Sequence, residues 1–284
     1  MTLEGKVAVI TGASTGIGRS CASVLARQGM RLVLAARRAE RLQSTVAELV
    51  ESGAEVLGHP VDVGVFEEVQ GLADAAMQAF GQVDVVFLKA GVPGGSPLLD
   101  IDLDAWRGAV DTNVFGLLHG IKAFLPLLLE QGDRGSLLTT SSGAGVHGTS
   151  YNTPTYAMTK NAQLTIMEAL DGQLRDAGSD IHVGVVLPPL TRTNLAGDDL
   201  SIWSAVEKML ATSADAPALI EPSEVAEVIL EGIRARSFWI EATAEQNERL
   251  FGGRDSGAVR RKEVLIRAGA NAMLHHSSPD PYLW

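Results

Sequence analysis

The chain has 284 residues, of which 46% are hydrophobic and 20% charged, and its 34 acidic and 23 basic side chains give a formal charge of −11. This length suits one α/β domain, and the negative charge argues against nucleic acid and anionic membranes as partners, because both repel an acidic surface. The single cysteine, Cys21, excludes an internal disulfide and a multi-cysteine zinc site, and it fits a reducing compartment.

The first residues of the chain show no basic stretch followed by an apolar core, and the most apolar runs are short and interrupted by proline. We therefore expect a soluble, cytoplasmic protein with neither a signal peptide nor a membrane span. The adjacent His275 and His276 have no carboxylate at metal-binding spacing, so no metal site is predicted.

Short runs rich in β-branched residues alternate with longer amphipathic segments along the chain. The runs predict strands buried on both faces, at residues 6–11, 31–36, 55–61, 83–88, 135–140 and 181–187. The segments between them predict helices, at residues 17–28, 39–52, 66–80, 103–130 and 154–175. This order predicts a single-domain Rossmann fold, a doubly wound parallel sheet of about seven strands with helices on both faces. Ligands of such sheets bind beyond the carboxyl ends of the strands.

Three glycines follow the first predicted strand and lead into the first helix. Gly12, Gly16 and Gly18 form the pattern G-x-x-x-G-x-G. Glycine permits a tight turn there and lets backbone N–H groups and the helix N-terminus approach a pyrophosphate. The spacing alone could mark only a flexible turn, but its place between a strand and a helix predicts dinucleotide binding.

The second predicted strand ends in Ala36, Arg37 and Arg38. NAD-preferring sites usually place an acidic residue here to hold the ribose 2′-OH. Two guanidinium groups without a carboxylate suit a 2′-phosphate instead, so we expect NADP(H) to be preferred over NAD(H). Arg38 and Arg41 could also be no more than the solvated start of the next helix.

Seven short motifs together resemble the single-domain branch of the short-chain dehydrogenase/reductase family over about residues 5–241. They are TGASTGIG at 11–18, PVDV at 60–63, KAG at 89–91, DTNVFG at 111–116, TTSSGAG at 139–145, YAMTK at 156–160 and PPLTRT at 188–193. The resemblance implies an NADP(H)-dependent oxidoreductase that interconverts a ketone or aldehyde and an alcohol. A non-catalytic NADPH sensor on the same fold is the alternative; such a protein would not need the full set of catalytic residues.

The resemblance implies a catalytic tetrad of Asn113, Ser142, Tyr156 and Lys160. Tyr156 would exchange a proton with the substrate oxygen, which Ser142 also holds, while Lys160 lowers the pKa of Tyr156 and binds the nicotinamide ribose. Lys160 follows Tyr156 by four residues, so both lie on one helix face. Asn113 would anchor a water that connects Lys160 to solvent, or else only pair with backbone. Ser141 is the alternative to Ser142.

The cofactor contacts that the resemblance implies run along the same motifs: Gly12, Ser14, Thr15, Gly16, Ile17, Gly18, Arg37, Arg38, Asp62, Val63, Ala90, Gly91, Tyr156, Lys160, Pro188, Thr191 and Thr193. The expected substrate contacts are Ser142, Ala144, His147, Tyr151, Tyr156, Pro189, Leu195 and Trp203. Three of these have an alternative: His147 and Tyr151 could be loop structure, and Trp203 could dock a lid onto the body. Few charges occur among these positions, which favours a neutral, hydrophobic substrate.

The chain departs from the family pattern at three places. Leu88 and Lys89 stand where two asparagines are usual, so Lys89 should reach solvent or make another polar contact. Pro188-Pro189 replaces the usual Pro-Gly, which stiffens that loop. The spacing from Ser142 to Tyr156 is one residue longer than is common, which reshapes the pocket wall.

Beyond the motifs, residues 194–216 predict a substrate lid, and residues 237–240 predict a short strand that in relatives helps to form a homotetramer. We therefore expect a homo-oligomer, either a tetramer or a dimer. Residues 1–241 should form the catalytic domain, and residues 242–284 should be a C-terminal extension packed on it.

Overall fold

The computed structural model describes residues 2–132, 134–147, 154–196, 203, 207–208 and 219–241, with His147 and Ala196 in their backbone only. The chain divides into two units, residues 1–242 and 243–284, and the fold below is that of the first unit. The packing of a C-terminal extension on the catalytic domain stays a prediction.

Seven parallel strands form one sheet in the order β3-β2-β1-β4-β5-β6-β7. The strands are β1 (Val7–Thr11), β2 (Arg31–Ala36), β3 (Val56–Pro60), β4 (Val85–Leu88), β5 (Ser136–Thr140), β6 (His182–Val186) and β7 (Trp239–Ile240). Every residue of β1, β4, β5 and β6 is buried, which explains their continuous apolar runs. The predicted fold class is confirmed.

Eight α-helices lie in the described residues. They are α1 (Gly16–Arg27), α2 (Ala39–Glu51), α3 (Phe66–Phe80), α4 (Leu103–Val110), α5 (Gly116–Glu130), α6 (Gly143–His147), α7 (Pro154–Asp176) and α8 (Pro222–Ala235). Helix α1 packs against α8, and α3 packs against α5. Single 3₁₀ turns form at Leu98–Asp100 and Asn194–Ala196.

The segment predicted as one helix over residues 103–130 has three parts. A π-helical turn, Asp111–Phe115, separates α4 from α5 and places the fully buried Asn113. Within the described residues, Leu103–Glu130 is the one helical segment long and apolar enough to cross a membrane. Its Leu117, Phe124 and Leu128 are buried in the protein, and a core helix has the same length and composition.

The chain reverses its direction of winding between β1 and β4. Strands β1, β2 and β3 step towards one edge of the sheet, and β4 returns to the other side of β1. Because the loops after β1 and β4 then diverge, a crevice opens at the carboxyl ends of these two strands. This crevice holds the candidate site.

Candidate active site

A cleft of about 1020 Å³, counting its open mouth, lies at this crevice. Loops after β1, β2, β3, β4 and β6 line it. The lining residues that were predicted to contact cofactor or substrate are Gly12, Ser14, Thr15, Gly16, Arg37, Arg38, Asp62, Val63, Ala90, Gly91, Thr193 and Leu195. Val92, Pro93, Thr112 and Asn194 also line it and were not predicted.

Several predicted residues lie outside the lining of this cleft. They are Ile17, Gly18, Ser142, Ala144, Tyr156, Lys160, Pro188, Pro189 and Thr191. Gly18 packs against the backbone of Gly12 in the glycine turn. Thr191 donates its hydroxyl to the Pro189 carbonyl at 2.7 Å. Tyr151 and the side chain of His147 lie outside the described residues.

The glycine turn has the shape that a dinucleotide needs. Gly12 and Gly16 have φ angles of +67° and +52°, a left-handed backbone conformation that residues with a side chain rarely adopt. A Cβ on Gly18 would lie 2.3 Å from the Gly12 carbonyl oxygen, and one on Gly16 would lie 3.1 Å from Thr193 Cγ2. The Gly12 backbone thus comes close to Gly18 on one side and the Thr193 side chain comes close to Gly16 on the other, and α1 begins at this turn. The residues present therefore fit a nicotinamide dinucleotide.

The end of the cleft that β2 and β3 border carries two arginine side chains and one aspartate. Arg37 and Arg38 follow β2, and Asp62 follows β3. Arg37 Nη1 lies 3.9 Å from Asp62 Oδ2, and both side chains are exposed. Such an exposed pair is weak, so the Arg37 guanidinium remains available to another anion.

Asn113 ties the loop after β4 to α7. Its Oδ1 accepts from the Val92 N–H at 2.8 Å, and its Nδ2 donates to the Val92 carbonyl and to Thr159 Oγ1, each at 2.9 Å. The side chain therefore does pair with backbone, as the simpler interpretation of this residue proposes.

Lys160 is buried one helical turn beyond Tyr156. Its Nζ donates to the Thr140 carbonyl at 2.7 Å and to Gln163 Oε1 at 2.9 Å. Gln163 Nε2 in turn donates to the Asn113 carbonyl at 2.7 Å. The Gln163 amide thus links Lys160 to the Asn113 carbonyl. Sequence reasoning missed Gln163; the available signal was a polar residue at a buried position of the helix.

The two neighbouring serines separate into different roles. Ser141 is buried and donates its hydroxyl to the Lys160 carbonyl at 2.7 Å, which holds β5 to α7. Ser142 makes a side-chain hydrogen bond with Tyr156 and accepts from the Ala144 N–H at 3.2 Å. Of the two, Ser142 is therefore the one whose hydroxyl lies beside the phenol.

The electrostatics of Tyr156 and Lys160 differ from the expectation. Burial raises the pKa of Tyr156 above its ordinary 10, and the Ser142 hydrogen bond only partly opposes this. Lys160 Nζ lies 5.7 Å from the centroid of the Tyr156 ring. Burial, helped by the charge of Lys89, lowers the pKa of Lys160 to about 7. The lysine is thus partly neutral near pH 7, and its expected lowering of the Tyr156 pKa is not found.

Lys89 lines the cleft beside the glycine turn. Its Cδ is 3.3 Å from the position that a Cβ on Gly12 would take. Burial lowers the pKa of Lys89, with a small opposing effect from Cys21. Within the described part of the chain, no carboxylate forms an ion pair with it. Lys89 was expected either to reach solvent or to make another polar contact. Its side chain is instead partly buried at the cleft wall.

The lid side of the site is described at a few residues only. Trp203 is 8% exposed and donates its Nε1–H to the Thr193 carbonyl at 3.1 Å, so it docks onto the loop after β6. Leu195 is 39% exposed at the cleft wall. Across the described residues, no group of three or more metal-ligating side chains comes together.

Residues 6–201 match the short chain dehydrogenase family. An uncharacterized oxidoreductase of Listeria innocua is 37% identical over 195 residues, which cover 69% of this chain and 78% of that protein. A short-chain dehydrogenase/reductase of Burkholderia phymatum, solved with NAD, has a TM-score of 0.77 at 30% identity and full coverage of both chains.

An alcohol dehydrogenase of Thermococcus sibiricus, solved with 5-hydroxy-NADP, has a TM-score of 0.69 at 28% identity and covers 83% of this chain and 94% of its own. These matches span the cleft, the glycine turn and the helix that carries Tyr156 and Lys160. The chain therefore belongs to the short-chain dehydrogenase/reductase family, oxidoreductases that act on CH–OH donors with NAD(P).

Proposed function

We propose that the protein interconverts a ketone or aldehyde and the corresponding alcohol, prefers NADP(H) over NAD(H), and uses Tyr156 as its general acid and base. The observation that carries this proposal is the meeting of Ser142, Tyr156, Lys160 and Asn113 at the carboxyl ends of β4 and β5, next to the dinucleotide-shaped cleft.

The chain's own groups are arranged to hold a carbonyl oxygen and move one proton. The hydroxyls of Ser142 and Tyr156 lie within hydrogen-bond reach of each other, so a carbonyl oxygen that takes the place of their mutual bond can accept from both. The nicotinamide, when bound, supplies or accepts the hydride. Tyr156 Oη gives its proton to the oxygen during reduction and takes it back during oxidation.

The raised pKa of Tyr156 keeps the phenol protonated at neutral pH and makes it a weaker acid. A phenol that stays protonated at neutral pH is the form that donates a proton. For oxidation, the phenolate needs a nearby positive charge, and the Lys160 ammonium is the candidate on this chain. Lys160 carries that charge fully only below about pH 7.

The cofactor preference rests on Arg37 and Arg38. Both line the end of the cleft where β2 terminates. The carboxylate oxygen Asp62 Oδ2 lies 3.9 Å from Arg37 Nη1. A phosphate offers an arginine two acceptor oxygens in one plane, which a ribose hydroxyl does not. Solved relatives hold NAD in one case and 5-hydroxy-NADP in another, so the family admits both cofactors.

Replacing Arg37 with Asp should therefore reverse the preference. We expect the dissociation constant for NADPH to rise by about tenfold or more, and that for NADH to stay level or fall, because a carboxylate repels the 2′-phosphate and accepts from a 2′-OH. Nicotinamide fluorescence titration measures both constants. Arg107→Asp, an exposed arginine on α4, is the matched control. Unchanged NADPH affinity in Arg37→Asp would remove Arg37 from the cofactor site.

The substrate proposal follows from the remaining wall of the cleft. Val92, Pro93 and Leu195 give it apolar surface, which suits a neutral, hydrophobic carbonyl compound or alcohol. We further propose a cytoplasmic homo-oligomer, a tetramer or a dimer. Exposed apolar side chains in the π-helical turn, on α5 and on α7, namely Phe115, Leu118 and Met158, support self-association.

The test of the function is turnover. Purified protein is incubated with NADPH and a panel of aryl ketones, cyclic ketones, steroids and β-ketoesters, and loss of nicotinamide absorbance is followed. We expect at least one neutral carbonyl compound to be reduced. A protein that binds NADPH, reduces no member of the panel and oxidises no matching alcohol would instead be the NADPH sensor.

A further inference from the structure

The ammonium of Lys160 is held by an amide that no catalytic motif includes. Gln163 lies three residues beyond Lys160 on α7 and is 1% exposed. Its Oε1 accepts from Lys160 Nζ at 2.9 Å, and its Nε2 donates to the Asn113 carbonyl at 2.7 Å. One side chain thus spans the distance from the catalytic lysine to the π-helical turn.

A buried glutamine is costly unless both ends of its amide are paired. Here both ends are paired, one of them to a catalytic ammonium. An apolar side chain of similar size would fill the same position on a buried helix face without that cost. The polar residue is therefore better explained by what it does to Lys160 than by packing.

The contacts of Lys160 leave one direction open. Two of its three N–H donors point to the Thr140 carbonyl and Gln163 Oε1. A Cβ on Gly91 would lie 3.5 Å from Lys160 Nζ, so the ammonium comes close to the backbone of Gly91, which lines the cleft. The third donor can therefore serve a ligand in the cleft.

We propose that Gln163 is a positioning residue, which bridges Lys160 to the Asn113 carbonyl and so keeps the ammonium directed at the cleft. This inference rests on the proposed function, in which Lys160 assists Tyr156 and binds the cofactor.

The surroundings of Lys160 make the proposal measurable. The charged or titratable groups that face it are Lys89 beyond β4 and Tyr156 on its own helix; Thr140 on β5 and Asn113 in the π-helical turn contribute only neutral groups. Changing Gln163 therefore alters a short list of contacts. Gln163→Leu removes an acceptor from the ammonium, and Gln163→Glu replaces the acceptor with a negative charge.

The experiment is an NMR pH titration of the protein with ¹³C-labelled lysine side chains, in which the Lys160 signal is identified by its loss in Lys160→Met. Wild type should titrate near pH 7. Gln163→Leu should lower the Lys160 midpoint and Gln163→Glu should raise it, each by about one pH unit, because the ammonium loses or gains stabilisation. Gln173→Leu, at an exposed position of the same helix, should leave the midpoint unchanged.

A second readout is the affinity for NADP⁺, measured by titration calorimetry. We expect a several-fold weaker affinity in Gln163→Leu, because Lys160 loses its orientation. Thermal unfolding shows whether each variant is folded, and Gln163→Glu keeps the test valid if the leucine variant is not. Identical Lys160 midpoints in wild type and both Gln163 variants would overturn the inference. If the wild type itself fails to bind NADP⁺, the proposed function is overturned. If it binds NADP⁺ and the Lys160 midpoints do not change, only the inference about Gln163 is overturned.

Discussion

At the scale of single residues, Lys89 at the cleft wall weakens the positive charge of the neighbouring Lys160. Burial and the neighbouring Lys89 lower the pKa of Lys160 to about 7, and burial lowers that of Lys89. In an unfolded chain both would titrate near 10.5. Between these values the unfolded state binds more protons than the folded state, so the free energy of unfolding rises with pH.

Lys89→Met should reduce this pH dependence. The variant loses one perturbed lysine, and the pKa of Lys160 moves up towards its ordinary value because a repelling charge is gone. Each lysine that is neutral only in the folded state contributes about 1.4 kcal/mol per pH unit to the slope. Urea unfolding between about pH 7 and 8.5 measures the slope; the unfolded thiol of Cys21, with a pKa of about 8.5, contributes equally to wild type and variant.

The matched control for this prediction is Lys122→Met, which removes a charge from an exposed lysine on α5. It should leave the slope at the wild-type value. A slope in Lys89→Met as steep as that of wild type would show that Lys89 does not act on Lys160.

The positions of residues could be predicted where they belong to a sequence motif. They could not be predicted where they depend on a tertiary contact. The four-residue spacing of Tyr156 and Lys160 predicted their shared helix face, and α7 has both. Gln163 was hidden, because a glutamine in a helix sequence does not reveal that it is buried or which carbonyl it meets. The raised pKa of Tyr156 was missed for the same reason, since desolvation depends on packing.

At the scale of elements, the first turn of α1 depends on the absence of a side chain at Gly18. A Cβ there would lie 2.3 Å from the Gly12 carbonyl oxygen and 3.1 Å from Ala13 Cα, both of them backbone atoms. Backbone cannot move aside as a flexible side chain can. The close approach of helix to strand, and with it the shape of the cofactor cradle, therefore requires glycine.

Gly18→Ala should destabilise the protein by about 1–3 kcal/mol, the usual range for overpacking, and weaken NADPH binding. Urea unfolding gives the first quantity and fluorescence titration the second. Gly71→Ala in α3 is the control, because a Cβ at Gly71 meets nothing within 4 Å. That change should stabilise the protein by about 0.5–1 kcal/mol, as alanine does in a helix interior. Equal effects of the two substitutions would contradict the packing argument.

The parallel sheet and the helix positions followed from the alternation of buried runs with amphipathic segments. The π-helical turn at Asp111–Phe115 did not, because the apolar pattern continues through it and α4 and α5 look like one helix in the sequence. That turn decides where Asn113 and its carbonyl lie. A local change in helical hydrogen bonding thus cannot be detected from the hydrophobic periodicity of the sequence, although it decides the position of Asn113.

At the scale of the whole molecule, the reversal of strand order between β1 and β4 brings distant motifs to one edge of the sheet. The glycine turn, the arginines after β2 and the tetrad are up to 148 residues apart, from Gly12 to Lys160 (160 − 12), yet they surround adjoining space. This convergence was predictable, since parallel sheets place their ligand sites at the carboxyl ends of strands. The choice of substrate was not, because it depends on side chains that no motif specifies.

The most direct test of the proposed chemistry is a comparison of wild type with Tyr156→Phe and with Tyr151→Phe, using the carbonyl compound that the NADPH panel identifies. The account predicts that Tyr156→Phe binds NADPH with wild-type affinity but loses at least about a hundredfold in kcat, the contribution of general acid catalysis, while Tyr151→Phe keeps its turnover within a few-fold. Wild-type kcat in Tyr156→Phe would contradict the assignment of Tyr156 as the proton donor and, with it, the mechanism proposed for this site.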